Sequence, residues 1–103
     1  MESLFVYGTL KNPEVQKLVI GRVVESSKDA LEGYKLEKID IDGEIYPILV
    51  PDQKQRKPIE GLTISISEEE LKKIDEYETE IYQRKSLVLK SGNKAFVYLA
   101  KTL

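Results

Sequence analysis

Neither cysteine nor histidine occurs among the 103 residues, and the two absences together remove a large part of enzyme chemistry. Without them there can be no disulfide, no zinc site built on thiolate or imidazole, no thiol nucleophile and no serine triad working through a histidine. Proton transfer near neutral pH then falls to a carboxylate, with lysine or tyrosine as lesser candidates. Positive charge is not in excess either: the net charge is -2, the sequence pI is about 5.3, and no lysine/arginine stripe or interleaved aromatic run marks a nucleic-acid footprint. Nucleic acid is not an expected partner. No apolar run approaches the roughly 20 residues that span a bilayer, and Met1-Glu2-Ser3 places no basic flank before the first apolar segment. Neither a membrane partner nor a signal peptide is expected, and the expected location is cytoplasmic.

What remains suits one small domain. Apolar residues make up 41% and charged residues 33%, enough to bury a core beneath a solvated surface. A lysine-, glutamate- and isoleucine-rich, cysteine-free composition also leans toward a heat-adapted source. No internal repeat, linker or low-complexity segment interrupts the chain, and a monomer or weak homodimer is the expected state.

Leu4 to Leu10, LFVYGTL, organises the rest. Leu4, Phe5, Val6 and Tyr7 form a continuous apolar run of strand formers, the pattern of a central strand buried on both faces. Gly8 breaks it, and a glycine there permits positive φ and close approach of a ligand to the main chain. The N-H groups of Gly8, Thr9 and Leu10 can then converge on one spot, although a plain turn explains the same residues. Asn12-Pro13-Glu14 starts a helix, with a cap, a proline at the first position and an acid in the first turn. Val15, Leu18 and Val19 should pack on the core until Gly21 ends it.

Arg22 to Ser27 reads as a strand and Lys28-Asp29 as a turn. Leu31 to Ile41 continues with Tyr34 and Leu36 on one face, and Asp42-Gly43 offers a hairpin turn into Glu44 to Val50. Pro47 cannot donate to a ladder, which places that segment at an edge or bulge; Tyr46-Pro47 alone indicates no more than an irregular rim. Asp52 to Pro58 is a polar surface loop. Ile59 to Ile66 alternates as a half-buried strand, and Ser67 to Glu70 forms a capping box that starts a second helix. Tyr82 to Lys90 and Lys94 to Ala100 are strands joined by a tight turn at Ser91-Gly92-Asn93. The pattern argues for an α+β domain: a small, mostly antiparallel or mixed β-barrel of about six strands with two short flanking helices.

One residue does not fit its helix. The second helix should bury Leu71 and Ile74, and the next position on that face is Glu78, where the pattern asks for an apolar residue. Partial desolvation and the negative end of the helix dipole would both raise the pKa of a carboxyl there, suiting it to act as a general base. The other reading is a frayed helix end with an exposed glutamate. Asp75, Glu76 and Glu80 read as solvated. Tyr82 and Arg84 share a face of the following strand, so Arg84 either pairs with a helix carboxylate or binds an anionic substrate.

Taken together, Tyr7-Gly8-Thr9-Leu10, Glu32-Gly33-Tyr34 with Leu36, Tyr46-Pro47, Glu60-Gly61, Ile74-Asp75-Glu76-Tyr77-Glu78 and Tyr82-Gln83-Arg84 resemble the γ-glutamylcyclotransferase-like family. That family includes the γ-glutamylamine cyclotransferases and the proteins named after an avirulence-induced plant gene, and the resemblance runs nearly end to end. It implies a small barrel with flanking helices, a substrate pocket formed by the YGTL loop, and Glu78 as acid/base. Tyr7, Gly8, Thr9, Leu10, Tyr46, Tyr82 and Arg84 are then the expected substrate-binding residues. The reaction implied is cyclisation: the α-amine of a γ-glutamyl group attacks its own γ-carbonyl and releases 5-oxoproline and an amine. Such a substrate brings its own nucleophile, so neither a metal nor a cofactor is expected. Many members follow the catalytic glutamate with glycine where Thr79 stands here, which leaves a non-catalytic binding or interaction domain as the alternative.

Overall fold

The computed structural model describes residues 1–101. Its elements are β1 (Glu2–Val6), α1 (Pro13–Val19), β2 (Ser26–Leu31), β3 (Tyr34–Ile41), β4 (Glu44–Pro51), β5 (Ile59–Ile66), α2 (Glu68–Glu78), β6 (Tyr82–Val88) and β7 (Lys94–Ala100), with 3-10 turns at Thr9–Lys11 and Thr79–Ile81. β1 lies in the middle of a five-stranded sheet ordered β2-β5-β1-β7-β6, antiparallel to β5 and parallel to β7. Its side chains alternate between two cores. Leu4 and Val6 pack with Ile64, Ile66, Leu71 and Ile74 on the helical face, while Phe5 packs with Leu31, Leu49, Val97 and Leu99 on the other. A strand buried on both faces is what the apolar run requires.

The motif Glu60-Gly61 has its reason in this packing. Gly61 lies on β5 beside β1, and a Cβ there would come within 2.5 Å of the Val6 carbonyl oxygen and 2.7 Å of the Phe5 ring. Only glycine lets the two strands and the Phe5 ring approach so closely.

The helices are fixed by their caps. Asn12 accepts from the Glu14 N-H at 2.9 Å, and at α2 Ser67 and Glu70 exchange bonds of 3.1 and 2.9 Å as a capping box. α1 differs from the expected face: Leu18 is 86% exposed, and Gln16 is buried in its stead. Gln16 is tolerated inside because its amide donates to the Leu10 carbonyl at 2.8 Å and accepts from the Val24 N-H at 3.1 Å.

That second bond also explains why no strand spans Arg22–Ser27. Val24 is tied to a helix side chain rather than to a ladder, and β2 begins only at Ser26. Lys28 and Asp29 are not a turn but lie within β2, opposite Leu62 and Gly61. Asp29 is held there by accepting from the Ser91 hydroxyl at 2.6 Å. The turn falls instead before Tyr34, at Gly33 with φ +84°, and splits the segment expected as Leu31 to Ile41. Among the described residues the strands therefore number seven, where about six were expected.

Those seven strands form no closed barrel. β3 and β4 pair only with each other, as a separate hairpin turned at Asp42-Gly43, both at positive φ. Pro47 and Pro51 deny β4 two main-chain donors, so the hairpin cannot extend the main ladder; it lies with β4 against β7 instead. Its position makes one wall of the cavity at the end of β1. No helix of the described residues is long and apolar enough to cross a membrane.

Candidate active site

Where β1 ends, the chain enters the Thr9–Lys11 turn beside a cavity of about 340 Å³. The turn supplies Tyr7, Gly8, Thr9 and Leu10 to its lining, the β4 wall supplies Ile45, Tyr46 and Pro47, and the end of α2 supplies Tyr77, Glu78 and Thr79. Phe5 and Val6 from β1, Tyr82 from β6 and Tyr98 from β7 complete it. Gly8 is not at positive φ: its φ is -121°. Nor does close packing require the glycine, since an added Cβ would have no neighbour within 4 Å. The N-H groups of Thr9 and Leu10 precede the first internal bond of the turn, from Lys11 N-H to the Gly8 carbonyl at 3.1 Å. Donors at that position of a helical turn have no partner within it. The turn is braced by the Gln16 amide on the Leu10 carbonyl and by Thr9 Oγ1, 2.9 Å from the Tyr77 hydroxyl.

The tyrosine hydroxyls are committed to the protein. Tyr7 donates to the Tyr98 carbonyl and Tyr82 to the Pro47 carbonyl, each at 2.6 Å, so Tyr82 also fastens the hairpin wall to the sheet. Tyr98 donates to Asp75 Oδ1 at 2.5 Å. Burial raises the pKa of all three, Tyr82 to about 12, and keeps them protonated at physiological pH.

Glu78 is the last residue of α2, one step further along the face that buries Leu71 and Ile74. The helix does not fray before it. Burial, and secondarily the Asp75 carboxylate, raise its pKa from 4.5 to about 7. Among the described residues no hydrogen bond opposes that rise, so the group passes readily between its two protonation states near neutral pH. The next residue, Thr79, has φ +65° and ψ -170°. Such a conformation suits glycine and costs a residue with a Cβ about 1–3 kcal/mol, which is the physical reason for a glycine after this glutamate.

Seven of the eight expected site residues thus meet at one cavity: Glu78, Tyr7, Gly8, Thr9, Leu10, Tyr46 and Tyr82. Arg84 is placed elsewhere. Its Nε and Nη2 each donate to Asp75 at 2.9 Å, and its guanidinium lies 4.6 Å from the Phe96 ring centroid. Of the two readings open to it, the geometry shows the helix pairing. Asp75 is accordingly not a free solvated acid, whereas Glu76 and Glu80 are exposed as expected. Tyr77 and Tyr98 line the cavity without having been singled out. Tyr98 has the alternating pattern of an ordinary core residue, and no local signal separates it. Among the described residues no group of three carboxylates could hold a metal ion.

The family model described as gamma-glutamyl cyclotransferase, AIG2-like, matches residues 4–102. AIG2-like protein C of Arabidopsis thaliana is 34% identical over 88 residues, covering 82% of this chain and 48% of its own length. AIG2-like protein D of the same plant is 30% identical, covering 84% of the chain and 55% of its own length. The chain therefore spans about half the length of these curated relatives. In fold, it is similar to the solution structure of an Arabidopsis thaliana protein, with TM-score 0.77 and 23% identity over 98% of this chain and 69% of that one. A crystal structure from Pyrococcus horikoshii is also similar, with TM-score 0.67 and 20% identity, covering 100% of this chain and 80% of the other. The chain belongs to the gamma-glutamyl cyclotransferase, AIG2-like family.

Proposed function

We propose that the chain is a γ-glutamyl cyclotransferase that converts a γ-glutamyl amide into 5-oxoproline and a free amine. The observation that carries this reading is Glu78, a carboxyl with pKa about 7 and no hydrogen-bond donor, in the same cavity as the turn Gly8–Leu10. As a carboxylate, Glu78 takes a proton from the substrate's α-ammonium. The freed amine attacks the γ-carbonyl, a C-N bond forms to close the five-membered lactam, and the original C-N bond breaks. The attacking nitrogen sheds a second proton on becoming the lactam N-H; Glu78 relays both protons to the departing nitrogen, which leaves as an ammonium, so protons and electron pairs balance without a protein nucleophile. A carboxyl tuned near neutrality suits both halves of that transfer. The unpaired N-H groups of Thr9 and Leu10 are donors for the developing oxyanion or the substrate carboxylate. Amine and carbonyl are already tethered in the substrate, so binding in the cavity contributes the orientation of the attack.

Purified protein incubated with a panel of γ-glutamyl dipeptides and γ-glutamyl amines is expected to release 5-oxoproline from at least one of them, and silence across the panel would reject the assignment. A binding domain of the same fold is the second reading. It is favoured by Thr79, whose side chain stands at the cavity in a backbone conformation suited to glycine. Stoichiometric binding of a γ-glutamyl compound recovered intact would support that reading instead.

A further inference from the structure

Asp75 lies in the groove that adjoins the Glu78 cavity and shares Tyr98 with it. We propose that Asp75, clamped between Arg84 and Tyr98 one helical turn before Glu78, is a positioning residue for the reaction: its fixed negative charge favours the proton-carrying form of Glu78. This rests on the reading of Glu78 as the acid/base.

Residues three apart on a helix are surface neighbours, with Cβ atoms roughly 5–6 Å apart, so Asp75 and Glu78 are neighbours on α2. Three donors hold Asp75: both Arg84 nitrogens at 2.9 Å and the Tyr98 hydroxyl at 2.5 Å. Burial works against its ionised form, but these bonds and the Arg84 charge outweigh it, and its pKa lies below the ordinary value. It is therefore an anion throughout the pH range in which Glu78 titrates. Tyr98 is the physical link, because the same side chain lines the Glu78 cavity and grips Asp75 from the adjoining groove.

No other formal charge among the cavity-lining residues competes with it. The titratable groups facing Glu78 are Tyr7 from β1, Tyr46 from β4, Tyr82 from β6, Tyr98 from β7 and Tyr77 from its own helix, with no lysine or arginine among the lining residues. Arg84 is bound to Asp75, lies over the Phe96 ring and is not among the residues lining the Glu78 cavity. The two substitutions of the ion pair consequently have opposite signs. Asp75→Asn removes the anion and leaves the cation, which favours the Glu78 carboxylate. Arg84→Gln leaves the anion uncompensated, which favours the protonated form.

The test is a titration of the Glu78 side-chain carbon by NMR in the full chain, for the native protein, Asp75→Asn and Arg84→Gln, alongside the pH dependence of 5-oxoproline release. The Glu78 midpoint is expected to fall by about half a pH unit or more in Asp75→Asn and to rise in Arg84→Gln, with the acid limb of kcat/KM moving in step. Asp75→Glu, which restores the charge, should return the midpoint toward the native value. Midpoints that stay in place, or that move together, in folded variants would overturn the proposal. Should Asp75→Asn fail to fold, Arg84→Gln alone decides it by the direction of its shift. Because the NMR midpoint needs no turnover, failure of this coupling is distinguishable from failure of the cyclotransferase assignment.

Discussion

The two ends of α2 each carry a glutamate, and they are tuned in opposite directions. Glu70, in the first turn, accepts from the Ser67 N-H and from two nitrogens of Arg22 at 2.7 and 2.9 Å. The Arg22 hydrogen bonds are the largest cause, and they outweigh burial and hold its pKa at about 2. Glu78, in the last turn, has no donor among the described residues, is half-buried beside the tyrosines of the cavity, and has its pKa pushed up to about 7. The helix dipole adds to both trends, favouring negative charge at its start and opposing it at its end. One residue type on one helix thus becomes a structural anion at one end and a titrating group at the other. The deciding variable is whether donors replace the water that folding removes.

The largest effect expected from breaking this contrast is on turnover. Glu78→Gln keeps the shape of the side chain but cannot exchange a proton, and 5-oxoproline release should fall by about 10² to 10⁴-fold. Glu76→Gln, on the exposed face, should leave the rate within error. Stability gives the second effect, and its sign follows from linkage. The folded pKa of Glu78 lies above its unfolded value of 4.5, so the folded state binds the proton more tightly. The native protein is therefore unpenalised below about pH 4.5, loses stability as pH rises toward 7, and carries the full penalty above it. That penalty is on the order of 3 kcal/mol at most. Chemical denaturation at pH 8 should find Glu78→Gln more stable than the native chain, with the difference vanishing near pH 4. A variant less stable than the native protein at pH 8 would mean that Glu78 holds the structure together.

How much of this was legible beforehand depended on the range of the interaction. The capping box at Ser67–Glu70 and the hairpin turn at Asp42-Gly43 are written in adjacent residues, and both stand as read. The central strand follows from one apolar run, and Glu78 from a break in the 3.6-residue period. Features that depend on distant partners were not accessible. Lys28-Asp29 looks like a turn until Ser91 and β5 are seen to hold it in a strand. Asp75 looks solvated until Arg84 and Tyr98 arrive from two other strands. Leu18 was assigned inward by periodicity, whereas the side-chain amide of Gln16 satisfies two main-chain groups there. The barrel expectation rested on short strands, and the hairpin's prolines and its separation from the main ladder lie beyond what strand length reports.

The turn that ends α2 offers a way to sharpen the contrast. If burial and Asp75 tune Glu78, relieving the strain behind it should change stability without changing its titration. Thr79→Gly suits φ +65°, ψ -170° and should stabilise the protein by about 1 kcal/mol after the larger entropy loss of glycine is set against the relieved strain. For a domain of this size that is a rise in Tm of about 4–8 °C. The Glu78 midpoint should stay near 7; a fall toward the ordinary carboxyl value would show that the strained turn, rather than the cavity, holds the group in its raised state.

The smallest effect belongs to the other end of the helix. Glu70→Gln keeps a side chain able to accept from Ser67 but removes the charge that Arg22 grips. Arg22 is largely exposed, so the loss should be about 1 kcal/mol or less at pH 7, and smaller again at high salt. The sign of its pH dependence is the reverse of that at Glu78. A carboxyl whose folded pKa is lowered from 4.5 to about 2 stabilises the protein above pH 4.5, and that stabilisation is lost as pH falls toward 2. Native protein and Glu70→Gln should therefore differ in urea midpoint at pH 7 and converge below about pH 2. Cyclisation rates should be equal throughout, because Glu70 is not among the residues lining the cavity. A change in turnover with this variant would mean that the start of α2 also governs the placement of Glu78, and that the two ends are one device rather than two.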